Sequence, residues 1–299
     1  MELRALRMFV EVVRQGGFSR ATKTVHATQS AISKAVRQLE DEAGLPLLER
    51  LPGGVRLTSA GEIVHRRALA LLAQAEDLNG ELDELKGLRR GVLRLGVPFI
   101  GSEMLFAGKL AEYRSRYPGI EVRLTEHGSR RLEELVLAGE LDLAGSLLPV
   151  ADNLAWQELH REPIDLLVPA DHPLAGAKSV TFRELGEQPA ILYAPEFALN
   201  PIILDAYRRN RLAPKVVAQT SQVSLVIALV AAGLGVAFLP RMIARQSPNP
   251  GTRCIPLGSP SIFWHMALIW RRDGYLAPEA KAWLGLVKAA SSKPAPSGR

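Results

Sequence analysis

Cysteine is nearly missing from this chain. The single thiol, Cys254, cannot form an internal disulfide, a multi-cysteine zinc site or a two-cysteine redox switch. It is expected to be an inert thiol near a strand. The six histidines show no metal-ligand spacing, and no serine lies in a nucleophile elbow. No catalytic residues, metal or cofactor are therefore expected, and the chain does not read as an enzyme. Gly233-Leu234-Gly235 lacks the third glycine of a dinucleotide loop and falls between a helix and a strand, so it reads as a helix stop and turn. Nowhere do about 18 consecutive apolar residues occur, which leaves no candidate membrane span. The start, MELRALRMFVEVV, has no apolar block behind a basic opening, so a cytoplasmic location is expected.

What is present is an ordinary globular balance. The 299 residues, 47% hydrophobic and 23% charged, suffice for about two domains and argue against disorder. The net charge of +6 permits a nucleic-acid partner without requiring one.

Leu3, Leu6, Phe9, Val10 and Val13 recur at steps of three and four and predict a helix over 3–14, ended by Gly16-Gly17. Ser19 is the expected N-cap of a short helix over 20–26, and Thr28 of a third helix over 29–42, closed by Gly44 and Pro46. Three short helices, the last two joined by a tight turn, form a helix-turn-helix. On the third, Gln29, Ser30, Ser33, Lys34 and Arg37 form a polar, cationic stripe opposite Ile32, Val36 and Leu39. In this motif the N-terminal part of the second helix of the pair enters the major groove. Thr28, Gln29, Ser30, Ser33, Lys34 and Arg37 are accordingly candidate contacts to bases and phosphates. Glu40, Asp41 and Glu42 fall beyond the groove. LPLLERLPGGVRLT then reads as a hairpin around Pro52-Gly53-Gly54, a wing with Arg50 and Arg56 set to hold phosphates. Its uncharged tip predicts weak minor-groove contact.

Ser59-Ala60-Gly61-Glu62 fits a capping box that opens a long helix. Along it Val64, Ala68, Leu71, Ala75, Leu78, Leu82 and Leu85 make a heptad seam, which predicts pairing with a second copy. After the basic hinge Gly87-Leu88-Arg89-Arg90-Gly91 the pattern changes to alternating strands and helices. Strands are expected at Val92–Val97, 120–124, 141–145, 164–169, 190–193, 215–220, 235–240 and 264–272. Helices are expected at 102–116, 129–138, about 198–211, 222–232 and near 277–290. That alternation means an open α/β fold with crossovers. The last residues, SSKPAPSGR, read as a polar tail.

Phe9, FSRAT, QSAISKAVRQLE, GLPLLER and RLTSAGE, in this order and spacing, resemble the N-terminal domain of LysR-type transcriptional regulators. Thr22 stands where that family usually has a second alanine, Leu48 replaces the common phenylalanine, and the wing tip lacks its usual basic residue. The resemblance implies a DNA-binding domain over 1–58, a linker (coiled-coil) helix over 59–88 and an effector-binding domain over 89–299. The last would be two Rossmann-like lobes, similar to periplasmic binding proteins, with lobe I at about 92–162 and 266–299 and lobe II at about 163–265. It also implies a homodimer through residues 60–87 that assembles as a dimer of dimers, promoter DNA and RNA polymerase as partners, and a small effector in the inter-lobe cleft.

Ligands of open α/β sheets sit beyond the carboxyl ends of strands, against helix N-termini. Ser102, Ser129, Phe197, Asn200, Ser221 and Gln222 fall at such places and are the candidate effector contacts. No arginine or lysine lies in the loops around Ser102, Phe197 and Ser221, so a small anion held by neutral donors is expected. An α/β enzyme or exported binding protein with a helical appendage would need a catalytic constellation or an export signal. A purely structural oligomer would leave the stripe at 29–37 without purpose.

Overall fold

The computed structural model describes residues 1–85, 91–195, 197–259 and 261–291. Residue 86, hinge residues 87–90 and most of the polar tail lie outside the described residues. The described chain forms two compact units.

The first unit opens with α1 (Leu3–Gln15), α2 (Phe18–Val25) and α3 (Gln29–Ala43). Gly16 ends α1 in the left-handed region at φ 66°, as its Gly-Gly signal predicts. Phe9, Val12, Ala21, Ile32 and Leu39 are fully buried and Val36 nearly so. Each large side chain among them stabilises by about 1.5–3 kcal/mol on burial, which fixes the face that α3 turns inward. Thr28 caps α3 by accepting from the Ala31 N–H at 3.2 Å. The wing is β1 (Leu48–Leu51) paired antiparallel with β2 (Gly54–Leu57). Glu40 is structural: its carboxylate accepts from the N–H groups of Leu47 at 2.8 Å and Leu48 at 3.2 Å, tying α3 to the wing.

Helix α4 (Ser59–Leu85) opens one residue earlier in its capping than expected. The Thr58 hydroxyl, not that of Ser59, accepts from the Gly61 N–H at 2.9 Å. Gly61 itself lies so close to the wing that a Cβ there would stand 2.0 Å from the Leu47 carbonyl oxygen. The predicted heptad seam is divided between two tasks. Ala68 is buried and Val64 packs on the helix-turn-helix core, with Leu69 and Leu72 beside them. Further along, Leu71, Leu78 and Leu82 of the seam are each more than two-fifths exposed, with Ile63 exposed as well. Two of the seven seam residues are therefore spent within their own domain.

The second unit begins with β3 (Val92–Pro98), α5 (Ser102–Arg116), β4 (Glu121–His127), α6 (Ser129–Leu137) and β5 (Leu143–Leu147). β3 pairs parallel with both β4 and β5. β4 is an edge strand whose Leu124 is exposed. Then comes β6 (Leu154–Pro169), a strand of 16 residues of which only 164–169 are expected from the sequence. Its first half is mostly partly buried or exposed, with only Leu154 and Leu159 buried, whereas 164–169 is continuously buried and apolar except for Asp165.

The remaining elements are α7 (Phe182–Leu185), β7 (Pro189–Tyr193), α8 (Leu199–Arg209), β8 (Lys215–Thr220) and α9 (Val223–Ala231). They are followed by β9 (Ala237–Pro240), α10 (Arg241–Gln246), β10 (Thr252–Pro256), β11 (Phe263–Arg271) and α11 (Pro278–Ser291). The main sheet runs β10-β6-β11-β5-β3-β4, with β9 also on β6, while β7 and β8 pair parallel. β6 pairs with β11 over 154–163 and with β9 and β10 beyond that point. One strand thus threads both halves of the unit. The chain returns beside it, where the Ile164 N–H donates to the Ile262 carbonyl at 3.0 Å.

Two buried or half-buried ion pairs lock this frame. Asp165, 3% exposed, accepts from Arg241 Nε at 2.8 Å and Nη2 at 2.9 Å. Asp142 takes the Arg94 guanidinium and also its backbone N–H. Cys254 lies in β10 as an exposed residue whose sulfur is turned inward, 3.8 Å from Asp165. Burial, with the carboxylate beside it, pushes its thiol up to about 12, so the reactive thiolate is scarce at neutral pH.

Candidate DNA-binding face and effector cleft

On α3 the inward residues leave Gln29, Ser30, Lys34 and Arg37 exposed and Ser33 half-buried, together on one face. Among the described residues of the first unit, Lys34 and Arg37 make no ion pair. The two wing arginines differ from them. Arg56 gives Nε and Nη2 to Glu49, and Arg50 lies 5.0 Å above the Phe18 ring. Their charge is partly spent before any phosphate arrives. Thr28 is committed to its cap, and its hydroxyl lies 3.0 Å from that of Ser30.

Two residues outside the expected set shape this face. Arg20 donates to the Gly16 carbonyl at 2.8 Å and to the Gly53 carbonyl at 3.4 Å, bracing the wing tip against the turn after α1. Ser19 is not the N-cap of α2; it lies in the first turn, and its hydroxyl donates to Gln29 Oε1 at 2.9 Å. The sequence signal for that contact is slight, because residues 10 apart meet only once the turn between α2 and α3 is formed.

In the second unit three of the candidate effector residues converge. Ser102 at the start of α5, and Ser221 and Gln222 before α9, line an open cleft of about 620 Å³. Ser224, Ser247 and Asn249 add further neutral donors. The free N–H groups of α5 and α9 reach the same space. No arginine or lysine lines it, as expected, but Glu103 and Glu126 do. Glu103 adjoins Ser102 in sequence, whereas Glu126 is not revealed by the loops alone because it arrives from the end of β4. Gly101 makes the first turn of this wall possible. It sits at φ +81°, and a Cβ there would meet the Trp264 ring at 2.4 Å.

The other candidates are elsewhere. Ser129 is 6% exposed and lines a cavity of only about 20 Å³, room for a single water. Phe197 is buried, stacked on Phe99 at 5.5 Å on one side and on Tyr193 at 5.6 Å on the other. Asn200 is a correction. Its amide accepts from the Tyr193 N–H and donates to the carbonyls of Tyr193 and Ala194, so it latches α8 to β7 and offers nothing to a ligand. Beyond Phe197 lies a second, more apolar chamber of about 300 Å³, with Arg130 and Glu133 at its rim. Burial raises the Glu133 carboxyl above the usual range, opposed by the Ser146 hydroxyl that donates to it at 2.5 Å.

A winged helix-turn-helix followed by a cleft-bearing α/β unit is the build of a ligand-responsive DNA-binding protein. Comparison with known proteins agrees. Residues 3–62 match the bacterial regulatory helix-turn-helix domain of the lysR family, and residues 86–292 match the LysR substrate binding domain. The chain therefore belongs to the LysR family of transcriptional regulators, and it carries that family's effector-binding domain. It is 32% identical over 290 residues to YwbI of Bacillus subtilis, an uncharacterized HTH-type transcriptional regulator, covering 97% of this chain and 96% of that one. It is also 32% identical over 280 residues to the HTH-type transcriptional regulator BudR of Raoultella terrigena, covering 91% and 95%. Among solved structures it resembles a full-length OxyR variant from Pseudomonas aeruginosa, with a TM-score of 0.74, 26% identity and coverage of 96% and 95%. Among the described residues no helix is long and apolar enough to cross a membrane.

Proposed function

We propose that this regulator reads promoter DNA through the exposed face of α3, with Gln29, Ser33, Lys34 and Arg37 as the principal contacts and Thr28, Ser30, Arg50 and Arg56 in support. The observation that carries this reading is the segregation on α3: Ile32, Val36 and Leu39 buried on one side, exposed Gln29, Lys34 and Arg37 on the other. The exposed part of the α4 seam supports pairing of two copies, which would set two recognition helices on successive major grooves of a pseudo-palindromic site. The change in the partners of β6 after residue 163 supports a division into two lobes near that point.

The effector is a small polar molecule held in the larger chamber by Ser102, Ser221 and Gln222. Glu103 and Glu126 narrow the expected anion to one with a single negative charge, seated on the helix N-termini, and favour a cationic group at its other end. Binding shifts DNA affinity or bend only in so far as one cleft geometry binds the effector better than the other.

The test is fluorescence anisotropy on DNA from immediately upstream of the protein's own gene, against scrambled DNA, with small amino acids and monocarboxylates added in turn. Sequence-preferring binding that one of them shifts, and that Ser102→Ala with Gln222→Ala makes unresponsive, is the expected result. A response that survives both substitutions unchanged moves the effector out of this chamber.

A further inference from the structure

The wing tip, Gly53-Gly54, carries no charge of its own, yet a cation stands against it. Arg20, in the first turn of α2, donates from Nη2 to the Gly16 carbonyl at 2.8 Å and to the Gly53 carbonyl at 3.4 Å. A guanidinium has five N–H donors, so these two bonds leave those of Nε and Nη1 for another partner. Among the described residues of the first unit, Arg20 is exposed and makes no ion pair. Both of its acceptors are neutral carbonyls, which orient the guanidinium without neutralising its charge. Arg56 differs, because Glu49 already meets its charge. Gly54 gives a steric reason for the bare tip: a Cβ there would stand 2.7 Å from the Gly16 carbonyl oxygen, the same atom that holds Arg20. The neighbouring Ser19 hydroxyl lies 2.9 Å from the Gln29 amide, at the start of the DNA-facing stripe. Arg20 therefore sits between the N-terminal end of α3 and the wing. In a duplex, a phosphate backbone separates each major groove from the minor groove beside it. A cation between a major-groove helix and a wing faces that backbone.

We propose that Arg20 is a phosphate-contacting residue, a pre-positioned cation that α2 supplies to an uncharged wing tip. The inference rests on the reading of α3 as the recognition helix. The two carbonyl bonds fix the guanidinium before DNA arrives, so less rotamer freedom is lost on contact than for an unrestrained exposed arginine. A phosphate contact carries no base information. Arg20 accordingly contributes to affinity and to salt dependence, and leaves base preference alone.

The experiment is fluorescence anisotropy of the full-length protein on one duplex across a salt series. Wild type is compared with Arg20→Gln, Arg20→Met, Arg20→Lys and the double variant Lys34→Ala with Arg37→Ala, and the thermal midpoint of each is recorded. The two neutral substitutions are alternatives, and whichever keeps the wild-type midpoint is used. It is expected to lower the salt slope of log affinity by about 0.9 for each bound protomer. Between about 50 and 200 mM salt the wild type then weakens about threefold more than the variant per protomer. Arg20→Lys, which keeps the charge, is expected to retain the wild-type slope even as loss of the carbonyl bonds lowers its affinity. A brace without phosphate contact predicts another pattern, in which neutral and lysine variants lose affinity by one factor at every salt concentration. That pattern, or a neutral variant with the wild-type slope, overturns the role given to Arg20, and the recognition helix stands if the double variant still loses slope. If the double variant also keeps the wild-type slope, the reading of α3 itself fails.

Discussion

Lys34 and Arg37 are the cations on which the DNA-binding reading depends most directly, and their contribution can be worked out before it is measured. Neither is paired among the described residues of the first unit, both are exposed, and they stand one turn apart on the face opposite Ile32, Val36 and Leu39. Each positive charge brought onto duplex DNA releases condensed counterions, and the salt slope of log affinity changes by about 0.9 per phosphate neutralised. The double variant Lys34→Ala with Arg37→Ala should therefore lose about 1.8 in slope for each bound protomer. Between about 50 and 200 mM salt that corresponds to about one power of ten per protomer, so over this range the wild type should weaken roughly tenfold more than the variant for each protomer bound, and roughly a hundredfold more for a bound pair. Arg56→Ala is the comparison. Its guanidinium already serves Glu49, so its removal should change the slope by much less than one full charge. The assay is anisotropy on one duplex across a salt series for all three proteins. Equal slopes for wild type and double variant would show that Lys34 and Arg37 do not meet phosphates, and the orientation assigned to α3 would fall.

Two further outcomes are expected. Leu78→Arg places a charge in the middle of the exposed part of the α4 seam, and should lower the molar mass seen by light scattering while leaving the monomer's unfolding midpoint nearly unchanged; an unaltered mass would exclude this face as an interface. Because burial raises the folded-state pKa of Glu133, ionising it costs more in the folded than in the unfolded protein, so the wild type loses stability as pH rises through the interval between those two values. Glu133→Gln removes that loss, and chemical denaturation should show the variant gaining on the wild type as pH rises above the usual carboxylate range; parallel curves would contradict it.

Most of the architecture can be read directly from the chain, for reasons visible in particular residues. The helices of the first unit carry strong signals: a periodic apolar face, Thr28 as a cap and glycine stops at Gly16 and Gly44. Helix 102–116 and strand 215–220 fall where expected because clear turns bound them. The first half of β6 is not legible, because LAWQELHREP mixes Trp156, Glu158 and His160 on a solvent-facing side, and no turn signal separates it from the apolar run IDLLVP. β10 and the short helices α7 and α10 are too brief to show a period. At the site, serines at helix starts point to the chamber that Ser102, Ser221 and Gln222 line. The same local signal cannot separate them from Ser129, which is buried, or from Asn200, whose amide is consumed by β7. Nor can it reveal Glu126, Arg130 or the Ser19–Gln29 contact, all of which depend on elements distant in sequence.

The division of α4 has a mechanical consequence. Its N-terminal turns are structural members of the helix-turn-helix core through Ala68, Val64 and Leu72, and its exposed leucines begin only one turn further on. At 27 residues the helix is about 40 Å long, comparable to the roughly 34–36 Å between successive major grooves. Under the proposed pairing, a rod built into the reading head at one end and clasped by a second copy along the other has no joint within the described helix at which rotation can be absorbed. Any twist applied to the clasp is delivered as a change in the phase of the two heads, so the assembly would meter operator spacing as calipers do, by rigidity rather than by touch.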